Sequence, residues 1–132
     1  MGAVPKRVVL ALLAALFLGP AVVSAAPAAD ATVYRSCTIA RCAAARDARS
    51  GWADLGFPTS RGWRAWPGGR YNFAGGRFRN DDRQLPAGAT YYEYDVYPRA
   101  KGAARDAYRI VVNRSSGAAW FSPDHYGDFY RL

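Results

Sequence analysis

The chain has 132 residues, with 18 Lys or Arg against 10 Asp or Glu, for a formal net charge of +8. That length holds one domain, and a hydrophobic content of 51% with 14% aromatics excludes a disordered chain. Two Cys and a single His exclude a four-Cys or His-rich zinc site and a disulfide-dense mini-scaffold.

The N-terminus has the order of a secretory leader. Lys6 and Arg7 give a basic start, Val8 to Leu18 is aliphatic apart from Phe17, Gly19-Pro20 breaks the helix, and Val23-Ser24-Ala25 offers small residues to a signal peptidase. Cleavage is expected after Ala25, making 1–25 a signal peptide, 26–33 a mobile tail and 34–132 the folded domain. The alternative is a membrane anchor, but the aliphatic stretch is shorter than the ~20 residues that span a bilayer. Removing the leader leaves 132 − 25 = 107 residues and a charge of 16 − 10 = +6. The exported chain would then be secreted, extracellular and not stably membrane-associated. In an oxidising compartment Cys37 and Cys42 are a disulfide pair or, alternatively, two separate thiols.

Along the mature chain, Thr38 to Ser50 is rich in Ala and Arg and predicts a short helix stopped by Gly51. From Gly51 to Gly76 the Trp, Pro and Gly content predicts loop with aromatic anchors and little regular structure. Tyr91 to Tyr97 favours a strand, with Tyr92, Tyr94 and Val96 on one face and Tyr91, Glu93, Asp95 and Tyr97 on the other. Tyr108–Asn113, Ala118–Phe121 and Asp128–Leu132 follow as strands, joined by a turn at Ser115-Ser116-Gly117 and a loop at Asp124–Gly127. One short N-terminal helix packed on an antiparallel β-sheet is an α+β fold.

Arg dominates the mature chain, with Lys101 its only Lys. Guanidinium forks match phosphate oxygens, so the partner expected is a polyanion such as RNA, an anionic membrane or an acidic glycan. Glu93, Arg105, Arg109 and His125 fall on neighbouring strands and loops. Together they supply the parts for phosphodiester cleavage without metal or cofactor: a base, an acid and two cations for the charge on phosphorus. Taken singly, each is an ordinary surface residue of a basic domain.

Four segments, taken in order, resemble the bacterial secreted guanyl-specific ribonucleases, the barnase-like and actinobacterial group. They are Phe78-Arg79-Asn80-Asp81-Asp82-Arg83-Gln84-Leu85-Pro86, Tyr92-Glu93-Tyr94, Arg105-Asp106-Ala107-Tyr108-Arg109-Ile110, and Asp124-His125-Tyr126 followed by Phe129. The likeness covers Phe78 to Leu132 well and Tyr34 to Phe57 more loosely. It implies the microbial ribonuclease fold and a monomeric endoribonuclease that cleaves single-stranded RNA after guanosine, through a 2′,3′-cyclic phosphate to a 3′-phosphate. It also implies Glu93 as base, His125 as acid, and Arg105 and Arg109 as phosphate ligands. Asn80 and Asp82 would bind guanine with help from the backbones of Arg79 and Asp81, between the rings of Phe78 and Tyr126. An acidic inhibitor protein of the barstar type is an implied partner in the producing cell.

The chain departs from that pattern in places. Asp82 stands where the family has Glu, Asp81 where Arg is common, and Arg61 to Gly76 looks like an addition. No C-terminal Cys is present to pair with an N-terminal one, leaving Cys42 for Cys37. Two further readings stay open: a non-catalytic RNA- or polyanion-binding domain on the same fold, and a cationic protein acting at membranes, which no amphipathic basic helix supports.

Overall fold

A computed structural model describes residues 32–132, together with Gly2, Ala3 and Gly19. Most of the leader, its cleavage point and most of the tail lie outside the described residues. One helix, α1 (Cys42–Asp54), packs on a sheet of seven strands: β1 (Val33–Tyr34), β2 (Gly62–Trp66), β3 (Arg70–Phe78), β4 (Tyr91–Asp95), β5 (Arg109–Asn113), β6 (Ala119–Ser122) and β7 (Phe129–Arg131). Their order across the sheet is β1-β7-β6-β5-β4-β3-β2. Every pairing is antiparallel except β1 with β7, which run parallel. The α+β class expected from sequence is therefore present, with one parallel edge added.

The helix is displaced along the sequence by four residues at each end relative to the expected Thr38–Ser50. At its start, a disulfide joins Cys37 to Cys42 with the Cα atoms 5.7 Å apart. Arg41 turns into the left-handed region at φ 74°, so the segment between the two cysteines is a covalently closed turn and the helix begins only at Cys42. Arg46 Nη2 donates to Cys37 O at 2.8 Å and ties this turn to the first helical turns. At the other end the helix runs through Gly51, where a Cβ would overlap the Trp66 ring. Gly51 is thus a contact point for β2 and does not end the helix. The stop is Gly56, at φ 71°. Its N–H bonds Ala53 O, and the next N–H, of Phe57, bonds Trp52 O, both at 2.9 Å. These are the paired bonds of a Schellman cap.

Cys42, Ala45, Ala48 and Trp52 are the buried face of α1. Small alanines let the helix axis approach the sheet, and Trp52 fills the space at its end. Trp52 touches Trp66 and Tyr94, each with ring centroids 4.9 Å away, and its indole N–H donates to Asp95 O at 2.9 Å. The sheet contributes Ala74, Tyr94, Ile110, Val112, Ala119 and Phe121 to this core. Burying side chains of this size contributes about 1.5–3 kcal/mol each.

The loop expected over Gly51–Gly76 is instead largely the β2–β3 hairpin. Trp66 pairs with Arg70 across a Pro67-Gly68-Gly69 turn. The glycine density that suggested irregular chain marks this tight turn and a bulge at Gly75 inside β3. Arg61 to Gly76 thus supplies β2 and most of β3 at one side of the sheet.

The face of the sheet away from α1 carries a second core of Leu85, Tyr91, Val111, Trp120 and Phe129, covered by the 79–90 loop. Asn80 staples that loop: its Nδ2 donates to Leu85 O at 2.8 Å and its Oδ1 accepts from Leu85 N at 3.1 Å. Tyr91 Oη adds a bond to Pro86 O at 2.6 Å.

Because a Cβ on Gly56 would meet nothing within 4 Å, Gly56→Ala isolates the conformational cost of the left-handed cap. It is expected to lower unfolding free energy by about 1–2 kcal/mol, read as a lower urea midpoint with an unchanged slope.

Candidate active site

Strand alternation sets the site. On β4, Tyr92 and Tyr94 face the helix, so Glu93 and Asp95 face the opposite side. Glu93 lies beside Val111 of β5, and Asp95 beside Arg109. Arg109 in turn pairs with Ser122 of β6. Glu93 is only 9% exposed. On its other side, β3 bulges at Gly75, where a Cβ would overlap the Glu93 carboxylate. Only a residue without a side chain lets the carboxylate lie there.

Asp95 is fully buried and gathers the cations. Arg105 Nε donates to both of its oxygens at 3.1 Å, and Arg105 Nη2 to Oδ1 at 2.6 Å. The same Nη2 lies 3.4 Å from Glu93 Oε1. Arg109 Nη1 is 3.3 Å from Asp95 Oδ1 and 3.3 Å from Asp106 Oδ1. Arg99 Nη2 completes the set at Asp95 Oδ2. Burial pulls the Arg105 guanidinium down, but Asp95 and Glu93 outweigh it and its pKa ends above the ordinary value. Burial, with Arg105 as a like-charged neighbour, prevails at Arg109 despite Asp95, and its pKa lies below. Phe73 floors the cluster, with Arg105 Cζ 4.3 Å and Arg61 Cζ 5.0 Å from its ring centre.

His125 sits on the β6–β7 loop. Both His125 and Tyr126 are left-handed, at φ 53° and 72°, a conformation that costs about 1–3 kcal/mol per residue and must be held by neighbours. Ser122 Oγ accepts from Tyr126 N at 2.8 Å, Asp124 Oδ1 accepts from Asp128 N at 2.8 Å, and His125 N donates to Ala107 O at 2.9 Å. That last bond fastens the loop to the segment between Arg105 and Arg109. The imidazole is exposed and lies 4.7 Å from the Tyr126 ring, which is 4.9 Å from Phe78.

Phe78, Arg79, Asn80, Asp81, Asp82, His125 and Tyr126 line one cavity of about 370 Å³. All the sequence-predicted base-binding residues thus share a pocket with His125; Glu93, Arg105 and Arg109 do not line it and form the cluster around Asp95, linked to the His125 loop through Ala107. The Asn80 side chain is committed to Leu85 at both ends, so what it offers a ligand is its backbone. Asp82, exposed, accepts only a 3.4 Å bond from Gln84 Nε2. Among the described residues, no group of three His, Cys, Asp or Glu side chains could hold a metal ion.

Residues 25–132 match a protein family described as ribonuclease. The chain belongs to that ribonuclease family. No curated protein and no solved structure matches it.

Within this candidate site, sequence reasoning missed Asp95, Arg99, Arg61 and Phe73. Asp95 carried a signal, since it shares a strand face with Glu93. Arg99, in the loop after Pro98, and Arg61, before β2, carried none.

Two variants test the cluster. Asp95→Asn leaves three guanidiniums around an uncharged group and is expected to cost about 3–5 kcal/mol of stability, read by chemical denaturation. Gly75→Ala should instead keep the fold while pushing the Glu93 carboxylate aside. Its expected signature is a fall in RNA cleavage of at least about tenfold from such misplacement, with near-native circular dichroism.

Proposed function

We propose that the protein is a secreted, guanyl-preferring endoribonuclease acting on single-stranded RNA by general acid–base transphosphorylation. The observation that carries this is the Glu93 carboxylate lying in the Gly75 bulge, ion-paired to Arg105, with Arg109 one strand over and the His125 loop bonded to Ala107. Family membership supports ribonuclease chemistry.

In this mechanism Glu93 accepts the proton of the 2′-hydroxyl, whose oxygen attacks the adjacent phosphorus. The attack is intramolecular, so holding the nucleotide in line supplies much of the acceleration. Arg105 and Arg109 neutralise the negative charge that grows on the phosphoryl oxygens. Their positions are fixed beforehand by Asp95, so little reorganisation is needed as charge develops. His125 gives a proton to the departing 5′-oxygen as that P–O bond breaks. The 2′,3′-cyclic phosphate is then opened by water with the roles reversed, giving the 3′-phosphate.

Guanine preference is assigned to the pocket beside His125. A carboxylate at Asp82 accepts two N–H groups of guanine, from N1 and the 2-amino group, a pair that adenine does not present. A site whose acceptors are matched to those two donors favours guanine over a base that leaves them unfilled. Phe78 and Tyr126 supply aromatic surface for the ring, and the backbone at Asn80 turns through the left-handed region, φ 54°, beside them. The Cys37–Cys42 disulfide suits an oxidising compartment outside the cell.

Mature protein incubated with a defined RNA in chelator is expected to yield fragments ending in guanosine cyclic phosphate or 3′-phosphate. Glu93→Gln and His125→Gln should each lower kcat/KM by about 10²–10⁴-fold while retaining affinity for an all-deoxy oligonucleotide. The wild-type pH–rate curve should be a bell that loses its rising limb in the first variant and its falling limb in the second. Binding with no cleavage would instead identify a polyanion-binding domain, and cleavage after every base would remove the role given to Asp82.

A further inference from the structure

The 79–90 loop has a cavity on each flank. One is the pocket beside His125. The other, about 500 Å³, lies over β1, β6 and β7 and is lined chiefly by Tyr34, Arg35, Arg83, Leu85, Trp120 and Arg131. Gln84 lines both cavities, so the loop is a single wall between them. Their chemistry differs. The His125 pocket contains Asp81 and Asp82, whereas no Asp or Glu lines the second.

The three cations of the second cavity are uncompensated. All ion pairs among the described residues belong to the cluster of Arg99, Arg105 and Arg109, so Arg35, Arg83 and Arg131 take part in none. Arg131 lies across Trp120, its Cζ 4.8 Å from the ring. One of its terminal nitrogens, Nη1, is buried and lacks a protein acceptor. Arg99 Nε and Arg109 Nε are in the same state, so the case for a ligand here rests on the cations and rings that line the cavity. Tyr34, stacked on Tyr130 at 4.4 Å, is held in place yet remains 42% exposed. Arg83 is left-handed at φ 56°, a conformation maintained here on the cavity wall. Three converging guanidiniums beside aromatic rings, with no carboxylate, are what a phosphate group with an attached base would fill.

We propose that this cavity is a second nucleotide subsite, taking a phosphate of the RNA chain remote from the scissile bond, with Arg35, Arg83 and Arg131 as its ligands. The assignment rests on the RNA-cleaving reading above. A strand leaving the His125 pocket crosses the loop at Gln84 and enters this cavity, so long RNA gains contacts that a dinucleotide cannot reach.

The test uses the full mature protein and two charge reversals, Arg35→Glu in the cavity and Arg70→Glu on the exposed β2–β3 hairpin, together with Arg131→Gln. Affinity for an all-deoxy decamer, which cannot be cleaved, is measured against salt, and kcat/KM is measured on a guanosine-first dinucleotide. Arg35→Glu is expected to weaken decamer binding about tenfold and to reduce the salt slope by about one or more. Arg131→Gln should weaken it in the same direction, Arg70→Glu should do so less, and dinucleotide cleavage by Arg35→Glu should match wild type. An equal loss in Arg70→Glu, or unchanged decamer affinity in both cavity variants, would overturn the subsite and leave the ribonuclease reading standing. Wild-type protein that cleaves neither the dinucleotide nor a long RNA would remove that reading, and the decamer titration would still decide the cavity. Inorganic phosphate should displace the decamer no better than chloride at equal ionic strength. Preferential displacement would identify a free-phosphate site and overturn the RNA assignment.

Discussion

A single buried carboxylate organises this protein. Asp95 has no access to water, and an isolated ion there would cost several kcal/mol. It is tolerable only because Arg99, Arg105 and Arg109 converge on it. The same residue accepts the Trp52 indole N–H through its backbone oxygen, so the helix is anchored to the strand that carries the cluster. Fold and site therefore meet at one residue. The guanidiniums are held in place by the fold itself, the preorganised arrangement that the proposed chemistry uses.

Around that anchor the chain uses absence as much as presence. Glu93 has its place because β3 has no side chain at Gly75, and the bulge re-aims the strand locally. The 79–90 loop stands between an acid-containing pocket beside His125 and a second one beside Trp120 whose only charged lining residues are arginines. Asn80, bonded at both ends of its amide to Leu85, keeps that wall in shape.

Much of the site was legible because strands alternate. Once Tyr91 to Asp95 is a strand, Glu93 and Asp95 must share a face, and the next strand brings Arg109 beside them. The short turn signals between β5, β6 and β7 were likewise local and readable. What escaped was non-local. Gly51 resembled a helix stop, yet its role is to admit Trp66 from a strand that begins eleven residues later. The glycines between Gly68 and Gly76 looked like loop, since composition alone does not separate a tight turn and a bulge from irregular chain. Arg99 and Arg61 reach the cluster only through tertiary packing, which leaves no periodic trace. The helix start moved because a disulfide, not propensity, fixes the turn before it.

The position of β7 has a consequence for biosynthesis. It lies between β1 and β6 with Phe129 fully enclosed, and the His125 loop hangs between β6 and β7. A nascent chain lacking its final strand has neither a closed second core nor a fixed imidazole. The sheet, the second core and the His125 loop are therefore completed together, only once β7 has been added.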